Sequence, residues 1–427
     1  MMQRRVVITG LGVLAANGTG KENFWQACLA GSSGIRRITR FDASNLPTQI
    51  AGEIQDFDPY AFGLTAEESV NLDRGTQLAL AAANLALEDG GFAGELSESE
   101  HEATGVCIGT AMAAVDEGEN MWMRLTHNDT QTPTDIPDAI NTAMFVMAYV
   151  PSAAIAAHHQ LYGPCSTIST GCSAGADAIG QAFWTIQEER ADRMLAGGTD
   201  SAINCASINV FSVMKALSTR NDEPERASRP YDGARDGFVM AEGAGILLLE
   251  ERETAIARNA HIYAEIITFA SNCNAYHMTA LPDDGMPLQQ LLRQALEETG
   301  IVGEQVGYIN AHGSSTLPNE VAETAAYKAV FGAQAYRIPI SATKSMIGHS
   351  QGAASAIETI VTALALERQM LPPTINQEQA DPRCDLDYVP NVPRNATFDI
   401  ALTHSSGFGG VNSVLVLAHP DWFDRQL

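Results

Sequence analysis

The chain is poor in charge, and above all in positive charge. Only 18% of its 427 residues are charged, and 25 Lys and Arg stand against 51 Asp and Glu, which gives a net charge of −26. Ordinary soluble domains carry roughly 25% charged residues, so we expect much surface to be buried in a core or a subunit interface. The acidic balance also argues against a nucleic-acid binder and against binding to an anionic membrane.

Cysteine is scarce and has no regular spacing. The seven cysteines are scattered, odd in number and without a CxxC pair, so neither a disulfide framework nor a zinc site is indicated, and a reduced cytoplasmic compartment is expected. Long apolar runs are missing too. The longest weakly polar run, residues 143–157, contains Pro151 and is shorter than the roughly 20 residues of a membrane span.

Short β-branched runs punctuated by glycine alternate with helical segments along the chain. Several runs are apolar on both faces, as in strands covered by helices on both sides. The predicted strands are residues 5–10, 105–109, 245–249, 261–269, 306–310, 338–341 and 413–418, and the predicted helices are residues 77–88, 176–189 and 353–367. The last helix is apolar almost all round, which predicts a central buried position. We expect one α/β body with a boundary near residue 260.

The first candidate site is a cysteine at the start of a predicted helix. Residues 169–175 read STGCSAG and lead into that helix, so Cys172 is expected among the unpaired N–H groups of a helix N-terminus. Those groups and the helix dipole favour a thiolate, and the same N–H groups can hold an oxyanion on an attacked carbonyl. The other reading is a buried structural cysteine, because free cysteines are often buried.

Three further segments combine glycine with polar side chains near strand ends, where site residues are common. They are residues 309–316 (INAHGSST), 341–354 (SATKSMIGHSQGAA) and 405–410 (SSGFGG). Their alternative readings are a structural histidine or a tight turn. The helix after the second segment would keep a histidine at its N-terminus neutral. One cysteine at a helix start, two histidines in loops and no metal-ligand spacing together suggest acyl chemistry through a thioester.

These segments resemble the signature set of the β-ketoacyl-ACP synthases, or ketosynthases. They occur in the family's order and approximate spacing, and flanking matches extend from residue 5 to residue 418, including residues 227–232 (ASRPYD) and 235–239 (RDGFV). Within the family, the chain most resembles the ketosynthase α subunit of bacterial type II polyketide synthases, and it is similar to β-ketoacyl-ACP synthase II. The polyketide features are Gly171, Ser350, residues 274–279 (NAYHMT) and residues 384–390 (CDLDYVP).

The resemblance implies a thiolase fold, an α/β fold in which two similar halves stack into five α-β-α-β-α layers. Residues 1–260 would form the N-terminal half and residues 261–427 the C-terminal half. It further implies an acyl carrier protein (ACP) as partner and a dimer, formed with a chain-length-factor subunit or with a second copy of the chain, with no nucleic acid and no membrane. No cofactor and no metal is expected, since the phosphopantetheine arrives on the ACP.

Four catalytic residues follow from the resemblance. Cys172 would be the nucleophile that accepts the growing acyl chain. His312 and His349 would promote decarboxylation of malonyl-ACP and stabilise the enolate, a task that suits neutral imidazoles. Lys344 would organise the site, paired with Glu323.

The resemblance also implies supporting and binding roles. The backbone N–H groups of Cys172 and Phe408 would form the oxyanion hole for the acyl thioester. Phe238 and Phe408 would be gating aromatics. Ser314 and Thr316 occupy positions that contact the pantetheine or malonyl group.

Docking of an acidic carrier protein on a chain of net charge −26 needs a local basic patch. Lys215 matches a position where the family carries a basic docking residue, and Arg220 is nearby in the sequence. The other reading of Lys215 is a solvated surface charge.

The chain departs from the family pattern in three places. Glu320 stands where the family usually has Asp, after an inverted Leu-Pro pair at residues 317–318. Gln351 replaces an apolar residue in the His349 turn. Ser406 stands where fatty-acid enzymes carry Phe, which predicts a looser gate near Phe408.

Two alternatives to the polyketide ketosynthase stay open. One is a homodimeric fatty-acid elongation synthase of the β-ketoacyl-ACP synthase II type. The other is a non-catalytic scaffold, like the chain-length-factor subunits that share the fold. Those subunits generally lack the nucleophilic cysteine, so the presence of Cys172 with both histidines favours an active subunit.

Overall fold

The computed structural model describes residues 4–92, 96–132 and 147–423. Within these ranges the strands are β1 (Val6–Ala15), β2 (Gly18–Thr19), β3 (Arg36–Arg37), β4 (Ile50–Ala51), β5 (Thr104–Gly109), β6 (Cys165–Ile168), β7 (Arg193–Asp200), β8 (Gly243–Glu251), β9 (Ala264–Cys273), β10 (Val306–Asn310), β11 (Ile340–Ser341), β12 (Met370–Leu371), β13 (Arg394–Asn395), β14 (Ile400–Ser406) and β15 (Val411–Ala418). The α-helices are α1 (Lys21–Leu29), α2 (Ala66–Asn71), α3 (Arg74–Asp89), α4 (Glu98–Ala103), α5 (Val115–Leu125), α6 (Val150–His158), α7 (Ala174–Gln187), α8 (Cys205–Val213), α9 (Arg252–Ala257), α10 (Met286–Thr299), α11 (Leu317–Phe331), α12 (Lys344–Ile347) and α13 (Ala354–Arg368).

The main sheet repeats one topology twice. Its first half has the order β1-β8-β7-β5-β6 and its second half the order β9-β15-β14-β10-β11. Numbered along the chain, each half therefore reads 1-5-4-2-3. The directions agree as well, since the first three strands of each order are antiparallel neighbours and the last three run parallel. A short antiparallel pairing of β1 with β9 joins the halves.

Helices cover both faces of each half. α3 packs on β1 and β8 next to α6, which packs on β5 and β6, and α10 packs on β9 and β15 next to α11. α7 and α13 contact each other and strands of both halves, so they form the middle layer. The arrangement is α-β-α-β-α in five layers, which confirms the expected architecture.

The central helices explain why this fold buries so much of a weakly charged chain. The side chains of α13 from Ala354 to Leu366 are all buried, as its nearly uniform apolar sequence predicts. Most of α7 is buried as well, and small residues allow the close approach. A Cβ on Gly175 would meet the backbone carbonyl of Gly352 at 2.7 Å. The starts of α7 and α13 are therefore held against each other, and both starts carry candidate site residues.

Every predicted strand and helix coincides with an observed element, but two long strands and most helices, among them α10 and α11, were missed. The observed strands at β1, β5, β8, β9, β10, β11 and β15 and the helices α3, α7 and α13 confirm the pattern. The missed strands are β7 and β14, which occupy corresponding places in the two halves. The boundary near residue 260 stays a prediction.

Within the described residues, no helix is both long enough and apolar enough to cross a membrane. The first part of the weakly polar run, residues 143–146, lies outside the described residues. The later part of that run belongs to α6.

Candidate active site

Cys172 lies in the connection between β6, the third strand of the first half, and α7 of the central layer. β6 ends at Ile168, a 3₁₀ turn (Gly171–Ser173) follows, and α7 begins at Ala174. Gly171 has a φ of +64°, a conformation that glycine adopts without steric cost. The tight turn places Cys172 at the N-terminus of α7, as predicted from the sequence.

The environment of the Cys172 thiol differs from the expectation of a favoured thiolate. Burial raises the pKa of Cys172 to about 11. Hydrogen bonds from the backbone N–H groups of Phe408 and of Cys172 itself, and the charge of Lys344, lower the pKa but do not offset the loss of solvation. The N–H groups therefore act in the predicted direction, but burial outweighs them and the thiolate is not favoured. Both N–H groups nevertheless lie next to the sulfur, so the oxygen of a thioester formed on Cys172 would lie near them.

His312 follows β10 and is buried beside Lys344. Its Nδ1 lies 3.4 Å from Lys344 Nζ and 3.3 Å from Ser405 Oγ. Burial and then the Lys344 charge hold the pKa of His312 well below its ordinary value. An ammonium group only donates, so Nδ1 is the acceptor and the neutral ring carries its proton on Nε2.

His349 follows α12 and has the same tautomer for a different reason. Its Nδ1 accepts the backbone N–H of Gln351 at 3.1 Å, which leaves Nε2 as the donor. Burial, with a smaller contribution from Lys344, holds the pKa of His349 well below its ordinary value. The rings of His312 and His349 lie 5.3 Å apart, nearly perpendicular. The site therefore contains two neutral imidazoles, each with one N–H to donate.

Lys344 is fully buried, and its partner is not the predicted one. Its Nζ lies 2.5 Å from Glu358 Oε1 on α13 and donates to the backbone carbonyl of His312 at 2.8 Å. Burial raises the pKa of Glu358 to about 7, against the opposing charge of Lys344. The predicted pairing of Lys344 with Glu323 is wrong. Glu358 is the one carboxylate in the buried span of α13, Ala354 to Leu366, and that isolated charge was the available sequence signal.

Glu323 instead holds the loop that carries His312. Its Oε1 accepts the backbone N–H of Gly313 at 3.1 Å, and its Oε2 accepts the hydroxyl of Tyr231 at 2.7 Å. Burial raises the pKa of Glu323 to about 7. Next to it, His404 contacts the hydroxyl of Tyr327 and lies 3.6 Å from Glu323. Glu323 therefore fixes the position of the loop that carries His312.

The predicted gating aromatics meet through a third ring that the sequence did not single out. Phe211 on α8 lies 5.6 Å from Phe238 and 6.1 Å from Phe408, between ring centres. Phe238 also packs edge-on against His349. Phe408 is 36% exposed, so it is the most accessible ring of the three. The three phenylalanines form a continuous wall from the surface to His349.

One cavity of about 260 Å³ connects these residues. It is lined by Cys172, His312, His349, Phe238 and Phe408. The predicted binding residues Ser314 and Thr316 also line it, and their hydroxyl oxygens lie 3.0 Å apart. The four sequence motifs thus share a single chamber.

The two predicted docking residues differ in position. Lys215 is exposed and lines the same cavity, and no ion pair of Lys215 is found among the described residues. Arg220 is half-buried, lies 3.5 Å from Glu223 and donates to the carbonyl of Ala234. Lys215 is therefore the available cation near the site, while Arg220 is engaged locally.

The doubled sheet and a cysteine facing two neutral histidines and a buried lysine define a condensing enzyme of the thiolase fold. Two family descriptions match the chain: "Beta-ketoacyl synthase, N-terminal domain" over residues 3–255 and "Beta-ketoacyl synthase, C-terminal domain" over residues 263–378. The chain belongs to the β-ketoacyl synthase family and is a decarboxylating, condensing acyltransferase.

Curated relatives of two kinds match the chain over almost its whole length. The tetracenomycin polyketide synthase ketoacyl synthase alpha subunit of Streptomyces glaucescens is 42% identical over 421 residues, which is 98% of each chain. The 3-oxoacyl-[acyl-carrier-protein] synthase 2 of Coxiella burnetii is 45% identical over 419 residues, 98% of this chain and 99% of the relative. Overall identity therefore does not separate polyketide from fatty-acid relatives.

Two solved structures share the fold closely. A chain from a type II polyketide synthase acyl carrier protein in complex with its ketosynthase bound to the hexaketide has a TM-score of 0.89 and 38% identity, with 98% of this chain and 100% of that one covered. A chain of the ishigamide ketosynthase/chain length factor has a TM-score of 0.88 and 34% identity, with 97% and 99% covered.

Proposed function

We propose that the chain is the ketosynthase of a type II polyketide synthase, which condenses malonyl-ACP with an acyl chain held on Cys172. One observation carries the proposal. Cys172 shares a single cavity with two histidines, His312 and His349, whose protons are both on Nε2. A nucleophile and two neutral donors are the groups that thioester transfer and enolate stabilisation require.

The first step is transfer of the acyl chain from ACP. The Cys172 sulfur attacks the thioester carbonyl, and the oxygen of the tetrahedral intermediate accepts from the N–H groups of Cys172 and Phe408. The carbon–sulfur bond to pantetheine then breaks. The pantetheine leaves as a thiol with the proton that Cys172 gave up, and a new thioester remains on the enzyme.

The second step is decarboxylation of malonyl-ACP. The Nε2–H groups of His312 and His349 donate to the thioester oxygen as negative charge develops there and carbon dioxide leaves. The enolate carbon attacks the acyl-Cys172 carbonyl, a carbon–carbon bond forms, and the Cys172 thiolate is released. Both rings serve as donors, because their pKa values lie far below neutrality.

Lys344 and Glu323 act on the histidines rather than on the substrate. The Lys344 ammonium disfavours a second positive charge on His312, so it keeps that ring neutral. Glu358 balances the buried lysine, and Glu323 holds Gly313 next to His312. Their proposed role is to position and tune the two donors.

Substrate contacts fall to residues nearer the surface. Ser314 and Thr316 offer hydroxyls to the pantetheine or malonyl group, and Phe238 and Phe408 control access to Cys172. The scheme needs no metal and no redox cofactor, since the phosphopantetheine arrives on the ACP.

The proposed partners are an ACP and a chain-length-factor subunit. Two matched structures are of a ketosynthase with an acyl carrier protein and of a ketosynthase/chain length factor. Lys215 at the cavity supplies the positive charge that an acidic carrier would meet on this acidic chain. The seven cysteines are all free thiols, which suits the proposed reduced, cytoplasmic compartment.

Fatty-acid elongation by a homodimer is the second candidate function, and the 45% identity to the Coxiella burnetii enzyme favours it. Ser406, which lines the cavity beside Phe408, supports the polyketide proposal because it leaves more room than the phenylalanine of fatty-acid enzymes. A non-catalytic scaffold has no use for the buried Lys344–Glu358 pair and the two neutral histidines.

The test is the intact mass of the protein after incubation with acyl-ACP and malonyl-ACP, for the wild type and for Cys172→Ala. We expect an acyl adduct on the wild type alone, followed by its conversion to a β-ketoacyl product on ACP. No adduct, even with a co-purified partner subunit, would establish the scaffold reading. Repeating the incubation without the partner subunit distinguishes the two assemblies: an obligate heterodimer would form no adduct, and a homodimer would form one.

A further inference from the structure

Gln351 brings an unsatisfied amide to the wall of the active-site cavity. The residue is buried and lines the cavity together with Cys172 and His349. Its Nε2 has no hydrogen-bond partner within the part of the chain that the structure describes. Only the backbone N–H of Gln351 is used, by His349 Nδ1. The side chain therefore holds a donor that the protein itself leaves unsatisfied.

Gln351 lies on the side of the cavity that carries Cys172. Gln351 opens the 3₁₀ turn Gln351–Ala353, which packs against the turn Gly171–Ser173 that carries Cys172. The amide nitrogen is itself buried, and no hydrogen bond of the side chain to the described residues holds it there. Rotation about the last torsion of the side chain would present the NH₂ group to the occupant of the cavity.

A second amide in the same cavity has the same character. Asn274 Oδ1 accepts from Asn412 Nδ2 at 2.7 Å, which fixes the orientation of the Asn274 amide. Asn274 Nδ2 is buried and without a partner among the described residues, and Asn274 lines the cavity. Asn274 is thus a second residue of the cavity lining with an N–H donor that has no acceptor in the described part of the protein.

Such donors do not suit a saturated chain. A buried N–H group without an acceptor is destabilising, and a saturated acyl chain would leave it so. A poly-β-keto chain carries a carbonyl oxygen on every second carbon, and such an oxygen can accept a hydrogen bond from the buried N–H group.

We propose that Gln351 donates a hydrogen bond to a carbonyl oxygen of the acyl chain on Cys172, and so selects β-keto chains over alkyl chains. The inference rests on the proposed function, since it assumes that Cys172 carries the chain. It assigns to Gln351 a specificity role in the transfer step, separate from the chemistry of the histidines.

The experiment compares acetoacetyl-pantetheine with butyryl-pantetheine, which differ by one keto oxygen in place of two hydrogens. The rate of Cys172 acylation is followed by intact mass for the wild type and for Gln351→Met, which keeps an unbranched side chain of similar length but has no N–H. We expect the ratio of acetoacetyl to butyryl rates to fall roughly tenfold in the variant, through the acetoacetyl rate alone. The intrinsic reactivity of the two thioesters cancels in this comparison.

An unchanged ratio in Gln351→Met overturns the inference, and so does an equal fall of both rates, which would make Gln351 a structural residue. A preserved butyryl rate shows that the variant is folded. Failure of the wild type to form either adduct overturns the proposed function and the inference with it. A wild type acylated by both thioesters keeps the proposed function, whatever the ratio does.

Discussion

Lys344 Nζ lies 2.5 Å from Glu358 Oε1, and both side chains are fully buried. The same ammonium donates to the carbonyl of His312 at 2.8 Å. One cation therefore ties the His312 loop and the start of α12 to the central helix α13.

Removing one member of this ion pair should destabilise the protein far more than replacing both members with apolar residues. Glu358→Leu leaves an uncompensated buried ammonium, and we expect a destabilisation of about 3–5 kcal/mol. Lys344→Met combined with Glu358→Leu should recover most of that loss, because no charge remains to be solvated. Thermal unfolding of the two single variants and the double variant measures both effects.

The control for the pair is Glu117→Gln, which removes an exposed ion pair with Arg124 and should leave the Tm nearly unchanged. A double variant whose loss of stability equals the sum of the two single losses would show that the buried pair is not coupled.

Alkylation of Cys172 should depend steeply on pH. The reactive form is the thiolate, and burial raises the pKa of Cys172 to about 11. Below that value the thiolate fraction grows about tenfold with each pH unit, so the rate with iodoacetamide should rise about a hundredfold from pH 7 to pH 9 without a plateau. Peptide mapping restricts the measurement to Cys172. A plateau reached by pH 8 would mean that the helix N-terminus outweighs burial after all.

Ser406→Phe should narrow the entrance beside Phe408. Ser406 lines the cavity at the end of β14, so a phenyl ring there would take up space next to the gating ring. We expect slower loading of bulky acyl chains onto Cys172 and little change for an acetyl group. Intact-mass kinetics with both chain sizes provide the comparison, and an unchanged rate for the bulky chain would contradict the prediction.

Lys215→Glu should weaken the encounter with ACP. The change reverses the charge at the cavity, where an acidic carrier would approach, so the apparent KM for ACP-bound substrates should rise. Alkylation of Cys172 by a small neutral reagent should keep its rate. Arg190→Glu makes the same change of charge at an exposed site before β7 and should leave KM unaltered. Equal effects of Lys215→Glu on both assays would place the docking patch elsewhere.

The sequence pattern predicted seven strands of the main sheet and three helices, and it missed two long strands of that sheet, β7 and β14. β7 and β14 are buried over nearly their whole length but contain glycine or polar side chains that read as strand breakers. In β7 a Cβ on Gly197 would meet the carbonyl of Gly245 at 1.9 Å, and one on Gly198 would meet the carbonyl of Gly352 at 2.4 Å. These glycines allow other parts of the backbone to approach closely, which single-sequence periodicity does not register.

The sequence predicted those site residues that stand in recognisable local motifs. Cys172, His312, Lys344 and His349 each stand in a distinctive turn, and the structure brings all four turns together. The carboxylate partner of Lys344 could not be read from spacing, because Glu323 and Glu358 lie on different helices that both approach the site. Phe211 was missed for a similar reason, since its α8 sequence carries no motif. Local sequence patterns do not show which of several side chains packs next to a given site residue.

The repeated strand order places different candidate catalytic residues at corresponding positions of the two halves. In each half, the third strand leads through a 3₁₀ turn into the central helix: Gly171–Ser173 before α7 in the first half, and Gln351–Ala353 before α13 in the second. Cys172, the proposed nucleophile, belongs to one turn, and His349 lies two residues before the other. In the proposed mechanism, one half therefore supplies the electron-pair donor and the other half the proton donor.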